Sequence, residues 1–141
     1  MKQSRLTPQR RLILGVVKSA CYHPTADQIH QLVHRQIPNI SVGTVYRNLD
    51  VLASQRLIQK IDIPGEPARF DADPGHKAYF VCRDKGAIYD LDLDPALLSK
   101  ILKAHPAIDT IDNFSLVVFG IAKDSASERR MRKGRVNQFL N

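Results

Sequence analysis

The 141-residue chain has little cysteine, no long apolar run and almost no acid in its first 60 residues. Two cysteines, Cys21 and Cys82, are too few for a disulfide framework, so a reducing, cytoplasmic setting is expected. No apolar stretch approaches the roughly 18 residues that a membrane-spanning helix needs. Met1 to Arg5 lacks the apolar core of a signal peptide, and no membrane partner is expected. A phosphate-cradling glycine loop, a nucleophile–base pair in motif context and a complete metal triad are missing too, which argues against an enzyme. Disorder is also excluded, because 43% hydrophobic and 25% charged residues is an ordinary globular composition.

What the chain has is positive charge, unevenly spread. The formal net charge of +7 divides into +7 over residues 1–60, −4 over 61–124 and +4 over 125–141. The first segment holds nine Lys/Arg against Asp27 and Asp50 alone. A basic half beside an acidic middle points to two modules, the first facing a polyanion. The plainer alternatives are a soluble basic protein, or one that binds nucleic acid without regard to sequence.

Three helices are expected first. Thr7-Pro8 is a helix start, with Thr as N-cap and Pro at the first helical position. Leu12, Ile13, Val16, Val17 and Ala20 follow as one apolar stripe, ending near Cys21. Thr25 and Gln28 have capping-box spacing for a second helix, whose inward face reads Ile29, Leu32, Val33 and Ile37 before Pro38. A third helix capped at Asn39 or Ser41 turns Val42, Val45, Leu49 and Leu52 inward. It leaves Thr44, Arg47, Asn48 and Val51 outward and Tyr46 at the margin.

The period then changes. Leu57 to Ile63 alternates like a strand, Pro64 to Pro67 is a turn, and Ala68 to Asp71 pairs back. Three short helices and a hairpin are the pattern of a winged helix-turn-helix, whose third helix enters the major groove. Arg47 can fork onto guanine or a phosphate, while Tyr46 and Thr44 offer hydroxyls and apolar contact. Tyr46 can equally pack on the wing, and Arg47 can be a plain solvated residue.

Beyond it, Lys77–Arg83 and Ala87–Leu91 read as strands around an Asp84-Lys85-Gly86 turn. A helix opened by Pro95 carries Leu97, Leu98, Ile101 and Leu102, and Phe114–Ile121, the most apolar run, is expected as the central strand. A small β-β-α-β sheet leaves an apolar face and an edge uncovered, which predicts a homodimer. The fold class is therefore α+β, with a winged-helix DNA-binding domain (1–72), an α/β dimerisation domain (73–124) and a basic tail (125–141). Composition leaves the tail either solvated or a supplementary phosphate contact.

Leu6-Thr7-Pro8-Gln9-Arg10, His23-Pro24-Thr25-Ala26-Asp27-Gln28-Ile29 and Ser41-Val42-Gly43-Thr44-Val45-Tyr46-Arg47-Asn48-Leu49 resemble the ferric uptake regulator (Fur) family of bacterial metal- and peroxide-responsive repressors. Thr-Val-Tyr-Arg-x-Leu opening a third helix is the specific element. The likeness continues through Ala68-Arg69-Phe70-Asp71 to Phe119-Gly120-Ile121, roughly residues 5–122. It implies a winged-helix DNA-binding domain and an α/β dimerisation domain, with double-stranded DNA and a second copy as partners. Tyr46 and Arg47 match the family's DNA-contacting pair, and Arg10 lies in its basic first helix near the backbone. With Thr44 and Asn48, these are the expected DNA-binding residues. A homodimeric repressor on a pseudo-palindromic operator is expected, responsive to a divalent metal or peroxide, with a metal-independent regulator as the alternative.

The departures from the family concern metal. Many members hold a structural zinc by two Cys-x-x-Cys pairs, but here those positions read Cys82, Lys85, Ala122 and Ser125. One thiolate does not make a structural zinc site, so none is expected. The regulatory site is half kept: His23, Asp71 and Asp90 match family ligands, whereas its His-x-His reads Lys77 and Tyr79, with His76 one residue early. His23, Asp71, Asp90 and a shifted His76 form an N/O set suited to one Fe, Mn or Zn ion per subunit. Alternatively, His23 caps a turn, Asp71 ends a strand and Asp90 pairs with a lysine; Lys77 near the site would repel a cation. His30 and His34 have ligand-like spacing but read as an exposed pair beside DNA. Cys82 is either a redox-sensing thiolate or a buried inert cysteine, and Cys21 reads as packing at a helix end.

Overall fold

The computed structural model describes residues 5–123, so the expectations for the basic tail and for Ser125 lie outside the described residues. Two compact units divide between His76 and Lys77. The fold is α+β, a winged-helix unit followed by a small α/β unit. No helix among the described residues is long and apolar enough to cross a membrane.

In the first unit, α1 (Pro8–Ser19) starts where Thr7 Oγ1 accepts the Arg10 amide, as its N-cap and Pro8 dictate. Its fully buried face is Ile13, Leu14 and Val17. Leu12 and Val16 pack only partly against the core, and Ala20 has left the helix. The expected stripe was thus rotated by one residue. Cys21, beyond the helix end, is exposed rather than packed.

The Thr25–Gln28 capping box forms in both directions and opens α2 (Ala26–His34), which buries Ala26, Ile29 and Val33. Ser41 caps α3 (Val42–Ser54), which buries Val45, Asn48, Leu49 and Leu52. Val42, expected inward, is exposed because it opens the first turn at the edge of the bundle. α3 ends in a Schellman motif: Leu57 N–H reaches Leu52 O, Arg56 N–H reaches Ala53 O, and Arg56 takes the left-handed position with φ 57°. Glycine fits that conformation without the Cβ penalty. Arg56→Gly should therefore leave stability unchanged or raise it by up to about 1 kcal/mol in chemical denaturation, its looser unfolded chain offsetting part of the gain.

The wing is β1 (Gln59–Ile61) antiparallel to β2 (Arg69–Asp71), with Lys60 opposite Phe70. Phe70 drops into the helical core beside Ile13, Ile29, Leu49 and Leu52. An isolated bridge pairs Thr25 with Arg69, and Phe70 N–H donates to Pro24 O at 3.0 Å. The segment entering α2 is therefore stitched to the wing.

The second unit contains β3 (Ala78–Cys82), β4 (Ile88–Asp90), α4 (Ala96–Ala104) and β5 (Leu116–Gly120). The strand order is β4-β3-β5, antiparallel then parallel. This corrects the expectation for residues 114–121: β5 is an edge strand and β3 is central. β3 buries four of its five residues, Ala78, Tyr79, Val81 and Cys82. In β5 the apolar side chains of Val118 and Phe119 stay exposed, and Ile121 just beyond is 66% exposed. α4 likewise buries none of its residues within the chain. Apolar character therefore did not mark burial within this unit. Gly120 faces the Phe80 ring, where a Cβ would sit 3.1 Å from its nearest atom.

Candidate DNA interface and metal centre

α3 offers an exposed face built on its N-cap. Ser41 Oγ and Thr44 Oγ1 lie 2.8 Å apart, and Arg47 Nη2 donates to Thr44 Oγ1 at 3.0 Å. A cap, a hydroxyl and a guanidinium thus form one chain that holds Arg47 along the helix surface. Tyr46, 41% exposed, projects beside it rather than packing away. Arg47 and Tyr46 can meet a base edge or a phosphate from this face, and Thr44 is engaged in aiming Arg47.

Asn48 is the exception among the residues expected to face outward. It is 7% exposed, and its side chain ties α3 to α1. Asn48 Oδ1 accepts from Arg10 Nε at 3.0 Å, while Nδ2 donates to Gln9 Oε1 and to Thr44 O, both at 3.0 Å. The signal was in the spacing: 45, 48, 49 and 52 are i, i+3, i+4 and i+7, the core stripe itself. Reading Asn48 as outward followed from its polarity, and the hydrogen bonds are what permit its burial. Gln9, which completes this network, was missed altogether.

His23 and Asp71 are brought together. His23 Nε2 lies 3.6 Å from Asp71 Oδ2, with the side chains 4% and 3% exposed. The backbone explains the placement. His23 has φ 52°, a left-handed conformation uncommon outside glycine, and its carbonyl accepts from Arg69 Nη1 at 3.1 Å. Arg69 and Asp71 flank Phe70 on β2, so the wing strand fixes both donors. Asp71 Oδ1 accepts the Asp73 amide at 2.9 Å, an Asx turn that orients its carboxylate. Arg69 is the positioning residue that sequence reasoning did not single out.

Two ligand atoms on one tetrahedral ion with bonds of about 2.05 Å would lie roughly 3.4 Å apart. The His23–Asp71 pair therefore needs only a small adjustment to share a cation. His76 closes the next turn, where its amide donates to Asp73 O at 3.3 Å, and its ring is not grouped with His23 and Asp71. Asp90 ends β4 in the second unit, opposite Tyr79 in register. Lys77, expected to trouble a bound cation, donates its ammonium to Asn113 Oδ1 at 2.9 Å within that same unit. His34 is exposed as expected, whereas His30 is half-buried with Nε2 2.9 Å from Ile40 O.

Cys82 is fully buried at the end of β3. Its Sγ lies 2.7 Å from Asp84 Oδ1 and accepts the Ala122 amide at 3.4 Å. Two of the positions that match the family's zinc thiols, 82 and 122, thus meet through a hydrogen bond. Full burial keeps the sulfur out of reach of solvent, as in a packing cysteine.

The Ferric uptake regulator family profile matches residues 1–116. The chain is 30% identical to the peroxide-responsive repressor PerR of Staphylococcus aureus (strain USA300) over 120 residues, covering 85% of this chain and 81% of that protein. Its fold superposes on the crystal structure of the Campylobacter jejuni peroxide stress regulator with a TM-score of 0.68 at 25% identity, over 84% of this chain and 88% of that one. For the Helicobacter pylori ferric uptake regulator, described as having three functional metal-binding sites, the TM-score is 0.72 at 20% identity, over 84% and 80%. With that match spanning both of its units, the chain belongs to the ferric uptake regulator family of DNA-binding transcriptional regulators.

Proposed function

We propose that this protein is a homodimeric repressor that reads a pseudo-palindromic operator through Arg47 and Tyr46 and is tuned by a divalent metal. The observation that carries the reading is the α3 face, where Arg47 is exposed yet aimed through Thr44 and the Ser41 cap. Arg10 from α1 adds a phosphate contact that fixes register on the duplex. It acts by binding rather than catalysis, in the cytoplasm. The dimer forms through the second unit, where Ile101, Val118, Phe119 and Ile121 leave apolar surface exposed on one small sheet and its helix.

His23 and Asp71 are the proposed core of the metal set, with His76 and Asp90 as further ligands on the strength of the resemblance. An imidazole and a carboxylate suit Fe²⁺, Mn²⁺ or Zn²⁺. Lys77 and Tyr79, standing where the family has histidines, favour the second reading, a regulator that binds DNA without metal. Cys82 with Lys85 and Ala122 gives no support to a structural zinc.

A competition assay between genomic fragments and random DNA, with and without chelator, tests these points. Sequence-specific fragments should be retained over random DNA, and chelator should weaken their binding. Asp71→Asn should raise the metal concentration needed for half-maximal DNA binding by at least tenfold, since even groups outside the ligand shell cost that much. Binding that survives chelation unchanged would establish the metal-independent regulator. Affinity set by salt alone, with no preferred fragment, would sink the operator reading.

A further inference from the structure

We propose that Asn48 is a positioning residue: buried between α1 and α3, it holds the Arg10 guanidinium in place to receive a DNA phosphate. This rests on the DNA-binding reading of Arg10 given above. The side-chain amide of Asn48 is used fully, with Oδ1 receiving Arg10 Nε and Nδ2 bridging Gln9 Oε1 and the Thr44 carbonyl. A bond at Nε fixes the plane of the guanidinium and leaves the terminal nitrogens Nη1 and Nη2, the fork that matches phosphate, for an outside acceptor. Among the described residues Arg10 makes no other side-chain hydrogen bond.

Arg10 also occupies an unfavourable place for a cation. It sits in the first turn of α1, where the helix dipole already supplies positive charge and no acidic residue offsets it. Arg11 follows in the same turn. Such a helix start is suited to an anion from outside. Thr44 connects the two DNA-facing elements: its carbonyl accepts from Asn48, and its hydroxyl accepts from Arg47. The phosphate contact of α1 and the reading face of α3 are therefore set in one register through Thr44 and the buried Asn48.

The test uses the full-length chain and a random-sequence duplex of 30 base pairs, because a phosphate contact does not depend on sequence. Arg10→Ala should make the slope of log affinity against log salt shallower by about 0.9 per engaged Arg10. Asn48→Ala removes no charge, yet it should reproduce most of that change and add nothing in the Arg10→Ala background. A packing role alone would lower stability without touching the slope. In the unaltered protein, the Arg10 Nε–H proton should exchange with water more slowly than those of exposed arginines by NMR. Fast exchange overturns the proposal even if Asn48→Ala fails to fold. An Arg10→Ala slope equal to wild type would show that α1 makes no phosphate contact, and the proposal falls with that reading. A shallower Arg10→Ala slope beside an unchanged Asn48→Ala slope overturns the positioning role alone. A changed sequence preference in Asn48→Ala with the slope intact would mean that Asn48 reads a base instead.

Discussion

Phe70→Ala should destabilise the winged-helix unit by about 3–5 kcal/mol, the range for deleting a buried aromatic ring. Phe70 is 1% exposed and is the wing's main side chain within the core of α1, α2 and α3. Removing it leaves a cavity where β2 joins the helices. A domain of this size holds roughly 5–15 kcal/mol in all, so the variant would retain only a small margin. The midpoint of urea unfolding by circular dichroism should fall sharply with little change in slope. Phe70→Leu, which keeps much of the volume, should fall clearly less. A loss below about 1 kcal/mol would mean that the ring is not a core element. Because Arg69 and Asp71 flank Phe70, the same variant should also loosen the His23–Asp71 pair, lowering metal affinity beyond the loss of folded protein.

The second large effect is expected at the DNA face. Arg47→Ala should cost about 1–3 kcal/mol per subunit in operator affinity, and about twice that when both half-sites are engaged. The cost is high because Arg47 is already aimed: its bond to Thr44 Oγ1 at 3.0 Å removes part of the ordering penalty before DNA arrives. Arg47→Lys should not restore binding if the contact is a bidentate fork, since an ammonium cannot present two parallel donors. Competition between an operator fragment and random duplex separates the possibilities. A loss larger on the operator identifies base reading, and an equal loss on both identifies a phosphate contact. No loss on either would remove Arg47 from the interface.

How far the site was legible depended on whether its determinants were local. Thr7-Pro8, Thr25-x-x-Gln28 and Ser41 are caps whose bonds close within three residues, so they could be read from spacing, and each formed as read. The Arg56 Schellman turn is equally local, but no glycine marked it. Asn48 falls on the local core stripe, but the partners that permit an amide to be buried there lie 38 and 39 positions away on α1. The pairing of His23 with Asp71 was foreseeable only by resemblance. What holds it, the Arg69 bond to the His23 carbonyl, spans 46 positions. β5 was misplaced for a related reason, because apolarity reports that a surface seeks cover but not whether the cover comes from the same chain.

By itself, the sequence determined the basic first half, the helix starts, the winged-helix order of elements and the likeness to the family. Each is a matter of composition or of short-range hydrogen bonding, and so needs no knowledge of the rest of the fold. Only the tertiary structure decided that Asn48 is a buried strut, that β3 is the central strand and that His23 meets Asp71, both side chains buried. Those outcomes depend on long-range packing, in which a polar side chain is buried when distant partners satisfy it and left outside when they do not.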